Sequence, residues 1–308
     1  MANGVVNLIV LAGILLLLVF SCYALWDSSQ VYATARASRY EKYKPTAGGG
    51  ELSFQELQAL NTDVFAWLTV YGTHIDYPVV QGTNNLTYVN TNAEGKHALS
   101  GAIFLDCDNA KDFSDFTSIL YGHHMEKETM FGEIGLFAHQ NYFEVRRYGS
   151  LYYEGREHGL EFFAFLHTSA YDGSVFRARV VGARERQAWL DKVFSEATCV
   201  RDGVAVTPDD RLVLLATCSA STTNGRDILI GRITDATYAD PFARQTETGA
   251  GPVIDRLVSL WARIPLAAKI ALAGLLLCLL ILLAVVLTRK KKLRAHAQSA
   301  APTIEERL

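Results

Sequence analysis

Two long apolar runs limit what this chain can fold into more than any other feature. Residues 5–25 are uncharged throughout, enough to cross the ~30 Å hydrocarbon core of a bilayer as a helix. Residues 270–287 form a second run, which 266–268 extend beyond Lys269. Part of the apolar content of a 308-residue, 50% hydrophobic chain therefore belongs to spans, not to a core. What remains between them is roughly 200 residues, the size of one domain. The net charge of −3 points to no nucleic-acid partner.

The second run sets the orientation. Arg289, Lys290, Lys291, Lys292 and Arg294 follow it directly, and basic clusters of this kind stay cytoplasmic. Crossing back twice puts the middle domain outside the cell and both termini inside, in a two-pass cell-membrane protein with lipid as a partner. A cleaved signal peptide ending at Ala33-Thr34-Ala35 is the rival reading, although the run is long for one and the site lies well past its end.

Cys22 and Cys278 fall within the spans, leaving Cys107, Cys199 and Cys218 outside, an odd number. Either all three are free, or Cys107 pairs with Cys199 and Cys218 stands alone. Both cases leave a thiol in an oxidising location, where a purely structural free cysteine is a liability.

The organisation predicted from these features is a transmembrane anchor (residues 1–26), a stalk (27–50), a globular domain (51–234), a linker (235–263), a second transmembrane helix (264–288) and a basic cytoplasmic tail (289–308). Residues 27–50 are polar and end in Gly48-Gly49-Gly50, a flexible joint. Ser53 offers an N-cap for a short helix to about Leu60, with Glu56 at the capping-box position. Short β-branched and aromatic runs then recur between turn residues at 67–71, 75–80, 102–105, 117–121, 150–153, 160–166, 175–181, 212–217 and 228–233. This is the pattern of an antiparallel sandwich or barrel. Helices are expected at 130–137 and at 184–197, the latter with Trp189, Val193 and Phe194 at helical spacing. Asp240-Pro241-Phe242 reads as a turn.

The chemistry gathers at two strand ends. Leu120-Tyr121-Gly122-His123-His124 takes an apolar strand into two histidines, and Leu214-Leu215-Ala216-Thr217-Cys218 ends another on a cysteine. A polar loop then leads to Arg226, which opens the next apolar strand. Thiol catalysis needs a nucleophile, a base that later acts as acid, and a donor for the developing oxyanion. Histidine suits the proton transfer and a guanidinium is a permanent donor. No His-Glu-x-x-His helix or Cys-x-x-Cys pair argues for a metal, and no cofactor is implied. Arg232 lies six residues beyond Arg226 on the same strand, roughly 20 Å from it, and reads as a solvated rim charge.

At these residues the chain resembles the sortase family. Tyr121-Gly122-His123-His124, Thr217-Cys218 and Arg226-Asp227-Ile228-Leu229-Ile230 match its three ordered motifs. Tyr77-Pro78-Val79-Val80-Gln81-Gly82, Ile103-Phe104-Leu105-Asp106 and Met130-Phe131-Gly132 fit as well. The His-His doublet, the N-terminal helix and the helix before the cysteine strand look most like class B. A second span is more usual in class C, but the lid motif of that class would precede the domain, and Asp240-Pro241-Phe242 follows it.

The resemblance implies a mainly β fold, an eight-stranded barrel with short helices flanked by two transmembrane helices. It implies a cysteine transpeptidase with Cys218 as nucleophile, His123 as acid/base and Arg226 as substrate and oxyanion donor. Asn85, Val89, Phe176 and Thr217 would line the groove for a C-terminal sorting signal. Implied partners are surface proteins carrying that signal and an amine from a cell-wall precursor or a pilin. A non-catalytic binding module on the same barrel, or a thiol hydrolase using water, are the alternatives.

Overall fold

Strands rich in Val, Ile, Leu and aromatic residues bury both faces only if a sheet closes or is covered, and here both happen. The computed structural model describes residues 2–45, 51–218 and 224–243, which belong to one compact unit. Its strands are β1 Val64–Val70, β2 Asp76–Val80, β3 Ile103–Leu105, β4 Thr117–Tyr121, β5 His124–Met125, β6 Thr129–Met130, β7 Tyr148–Tyr153, β8 Arg156–Ser169, β9 Cys199–Val200, β10 Arg211–Cys218 and β11 Gly225–Thr234. The ladder runs β11-β10-β4-β3-β2-β1-β7-β8, and β8 pairs back onto β11. The result is a closed eight-stranded barrel. Strand β9 adds to β8, while β5 and β6 form a separate hairpin.

Four helices accompany the strands: α1 Ala2–Ala35, α2 Glu51–Leu60, α3 Gln140–Val145 and α4 Ala183–Glu196. Helix α4 sets Trp189, Leu190 and Val193 against Ile119, Leu214, Ala216, Ile228 and Ile230, covering one face of β4, β10 and β11. The alternate residues Leu120, Val213, Leu215 and Leu229 join the larger cluster with Leu68, Val79 and Leu105. Residues 212–216 of β10 are therefore buried on both sides, which is why that strand is apolar without alternation.

Several elements differ from expectation. Residues 175–181 form no strand. Their backbone bonds are local, such as Val175 N–H and Phe176 N–H to the Asp172 carbonyl, and Trp189 Nε1 donates to the Val175 carbonyl. The alternation there comes from Phe176 and Val180 packing against the outer sheet face while Arg177, Arg179 and Val181 are exposed. The helix expected at 130–137 is instead the end of β6, a turn, and a 3-10 helix Ile134–Ala138 that leads into α3. Gly132 marks the turn, since a Cβ there would lie 1.9 Å from the Met125 carbonyl oxygen. Helix α2 begins at Glu51, two residues before the expected cap at Ser53.

The segment read as a stalk is partly integral to the domain. Ala35, Tyr40 and Tyr43 are buried in the main core, and Arg39–Glu94 and Lys44–Asp76 ion pairs of 2.7 Å tie it down. After β11 the chain also stays on the barrel. Tyr238 stacks on Tyr148 with centroids 4.0 Å apart, and Arg146 lies 5.6 Å from the Phe242 ring. The Asp240 carboxylate accepts the Phe242 N–H, closing the expected turn. Cys107 and Cys199 are both free, which removes the paired alternative. Helix α1 is the one helix among the described residues long and apolar enough to cross a membrane. The second span, the basic tail and the glycine joint at 48–50 lie outside the described residues.

Candidate active site

Parallel neighbours bring like ends together, and that places the two chemical motifs side by side. Strands β4 and β10 are parallel, in register from Leu212↔Thr117 to Ala216↔Tyr121. The Gly122 N–H donates to the Ala216 carbonyl at 3.2 Å, so contact continues past the end of β4. The next residues are His123 on one chain and Thr217-Cys218 on the other. Strand β11 returns antiparallel to β10, with Cys218 directly opposite Arg226. Two distant parts of the chain, β4 and the consecutive strands β10 and β11, thus deliver His123, Cys218 and Arg226 to one rim of the barrel. Gly122 permits the tight exit, because a Cβ there would meet the Ile103 side chain at 2.5 Å and Phe131 at 2.7 Å.

His123 is half-buried, and its Nε2 lies 2.8 Å from the Val89 carbonyl oxygen. A carbonyl only accepts, so in this contact Nε2 carries the proton and Nδ1 is left as the basic nitrogen. His124, by contrast, sits in β5 opposite Met130, with its Nδ1 buried and unpaired. Arg226 is half-buried, donates from Nη1 to the Gly225 carbonyl at 3.0 Å, and pairs across β8 with Thr168.

The four residues expected in a groove are not equivalent. Asn85 is held by two bonds: its amide donates to Asp106 Oδ2 at 2.9 Å, and its Oδ1 accepts the Cys107 N–H at 2.8 Å. Val89 supplies the carbonyl that holds His123. Phe176 packs at the edge of the outer cluster that contains Ala216 and Ile228. Thr217 is only 2% exposed, and its Oγ1 is buried without a hydrogen-bond partner.

Two further groups belong to this rim. The Tyr121 hydroxyl donates to the same Asp106 oxygen at 3.0 Å, so one buried carboxylate orders both Tyr121 and Asn85. Burial, then Asp106, pushes the Tyr121 pKa well above its ordinary value, and the phenol stays a donor. Tyr121 and Asp106 stand inside recognisable motifs, but nothing in the sequence joins them. His167 on β8 faces Asp227 on β11 at 2.8 Å, one position from Arg226. No sequence signal announces that pair, since it exists only because β8 and β11 close the barrel.

Arg232 corrects an expectation. It lies opposite Leu212, at the far end of β11, as the spacing requires. It is not a solvated rim charge, however: Nη2 contacts Glu161 Oε2 at 2.6 Å and Nη1 donates to the Ala205 carbonyl at 2.7 Å. Among the described residues, His74 with Glu128 and Glu133, and Asp106 with Cys107 and Asp108, each bring three potential ligand atoms within 4.8 Å. In the first cluster those atoms already engage one another, with His74 Nδ1 3.2 Å from each carboxylate.

No protein-family model matches the chain. Individual proteins do. A crystal structure of sortase B from the type II pilus of Streptococcus pneumoniae is 44% identical, covering 59% of this chain and 99% of that one, with a TM-score of 0.53. A Streptococcus pyogenes class B sortase involved in pilus biogenesis is 39% identical over 58% of this chain and 97% of that one, at a TM-score of 0.54. Sortase B of Staphylococcus aureus is 29% identical over 182 residues, 58% of this chain and 74% of that protein. The fold and these likenesses define a cysteine transpeptidase on a closed barrel. The chain belongs to the sortase family, and within it is class B-like.

Proposed function

We propose that this enzyme cleaves a C-terminal sorting signal from surface proteins and transfers the new acyl end to an amine, through a thioacyl-enzyme on Cys218. The observation that carries the reading is the register: Cys218 opposite Arg226 on β11, beside the exit of β4 into His123. In this scheme the Cys218 thiol passes its proton to His123, and the thiolate attacks a backbone carbonyl of the signal. Arg226 donates to the oxyanion, and His123 gives a proton to the departing amine. The incoming amine then loses a proton to His123 as it displaces the thiolate. Asn85, Val89 and Phe176 would contact the signal, with the buried Thr217 behind the groove next to Cys218, and Asp106 would hold Asn85 in place.

A pilin lysine is the favoured acceptor over a cell-wall precursor, because the relatives at 44% and 39% identity are described as a pilus enzyme and as involved in pilus biogenesis. The proposed setting is a two-pass membrane protein with an outward catalytic domain at 51–234 and cytoplasmic termini. Apolar α1 and the basic residues at 289–294 support it.

The test is to incubate the enzyme with sorting-signal peptides and map the acyl adduct by mass spectrometry. An adduct on Cys218 that Cys218→Ala abolishes is expected, with aminolysis outrunning hydrolysis once a pilin-derived amine is added. An adduct on Cys107 or Cys199, or none at all, would overturn the assignment. Hydrolysis that amines never outcompete would favour the thiol hydrolase.

A further inference from the structure

Tyr77 opens the Tyr77-Pro78-Val79-Val80 run, which the chemistry above leaves unused. Its ring is buried, and its hydroxyl lies between two backbones. It donates to the Ala35 carbonyl at 2.9 Å and accepts the Met130 N–H at 2.9 Å. Ala35 is the last residue of α1. Met130 is the β6 residue paired with His124, and the next N–H, that of Phe131, donates to the His123 carbonyl at 3.0 Å. One phenol therefore joins the end of the apolar helix to the strand that backs His123.

The hairpin it grips is not a relaxed one. Lys127, Glu128 and Met130 all have positive φ, at 57°, 57° and 52°. Non-glycine residues keep such conformations only where the surroundings over-determine them. The bond to the Met130 N–H is one such constraint. A second contact runs between the same two elements, with Lys127 Nζ 4.4 Å from the Tyr32 ring of α1. Burial raises the Tyr77 pKa, so the phenol stays protonated and able to donate.

We infer that Tyr77 is a positioning residue for the transfer reaction, its hydroxyl fixing the β5–β6 hairpin, and through it His123, relative to the end of α1. This rests on His123 as the proton-transfer group. It follows that the segment leaving the membrane is part of the catalytic frame and not a passive tether.

The test uses the full chain in lipid nanodiscs. Tyr77→Phe keeps the ring and its packing and removes only the hydroxyl. A four-residue Gly-Ser insertion between Ala35 and Arg36 frees the helix end from the barrel. Each should lower kcat about tenfold, with the KM for signal peptide changed less than about twofold, since a displaced catalytic group costs rate more than binding. The pH profile of kcat/KM should also move, because the His123–Val89 contact shifts with the hairpin. The double variant should lose much less than the product of the two single losses, because both changes break the same Tyr77–Ala35 bond.

Losses that multiply in the double variant would overturn the inference. So would a Tyr77→Phe enzyme with native kcat and a superimposable pH profile, or one whose only change is a lower Tm. If His123→Ala itself keeps native turnover, the proposed function fails instead, and the two failures are told apart.

Discussion

Replacing Arg232 with alanine should destabilise the barrel and barely touch turnover, while Arg226→Ala should do the reverse. The two arginines share β11 but stand roughly 20 Å apart, at ~3.3 Å per residue. Arg232 meets Glu161, whose side chain is only 6% exposed, and also donates to the Ala205 carbonyl. Removing one partner of a fully buried ion pair costs about 3–5 kcal/mol. Glu161 would keep Arg147, which contacts its other oxygen at 2.6 and 2.9 Å, so the loss should be nearer ~2 kcal/mol. For a domain of this size that is a Tm drop of about 4–8 °C. Arg226→Ala should cost turnover on the order of 10²-fold, the scale for one oxyanion donor, and Arg226→Lys should recover little because a point charge lacks the planar fork. Thermal melts and peptide transfer rates of the full chain decide it. An Arg232→Ala enzyme with native Tm and lost turnover, or an Arg226→Ala enzyme that melts early yet turns over normally, would show that the strand register does not govern these roles.

Three further outcomes are expected. His123→Ala should cost about 10²–10⁴-fold in kcat, and His124→Ala much less, since only His123 contacts Val89 at the rim; equal losses in steady-state assays would count against the assignment. Burial tends to raise the Glu161 pKa, but hydrogen bonds from Arg147 and Arg232 outweigh it and hold the carboxyl below its usual range. Its contribution is therefore present above the unfolded carboxylate pKa and lost as pH falls through the folded value, so the Tm gap between native enzyme and Glu161→Gln should narrow below about pH 4. A gap that stays constant down to pH 3 would refute the linkage. In intact cells of a Cys107→Ala strain, a membrane-impermeant thiol reagent should label Cys218, and a tag after Leu308 should resist external protease; a tag cleaved from outside would reverse the orientation.

Much of this protein is legible in its sequence because its signals are local. A run of uncharged residues at 5–25 is enough for a membrane-length helix, and α1 extends from Ala2 to Ala35. Short β-branched runs between turn residues are enough for strands, and eight of the nine expected correspond to observed ones. Distance along the strand also sufficed to set Arg232 far from Arg226, and the two lie opposite Leu212 and Cys218 respectively. The alternation at 175–181 misled, because covering a sheet and pairing within one produce the same period of two.

What only tertiary structure decided are contacts whose partners lie far apart in the chain. The β4–β10 pairing that aligns the two motifs spans about a hundred residues, and a parallel neighbour leaves no mark on either strand. The His167–Asp227 pair exists because β8 meets β11 when the barrel closes. Arg232 looked like a solvent charge until Glu161 was folded against it. The polar stretch after the first apolar run read as a free stalk, since nothing in its composition reveals that Ala35, Tyr40 and Tyr43 find a core. Composition and spacing record what one segment prefers; which segment it meets is set by the closure of the sheet.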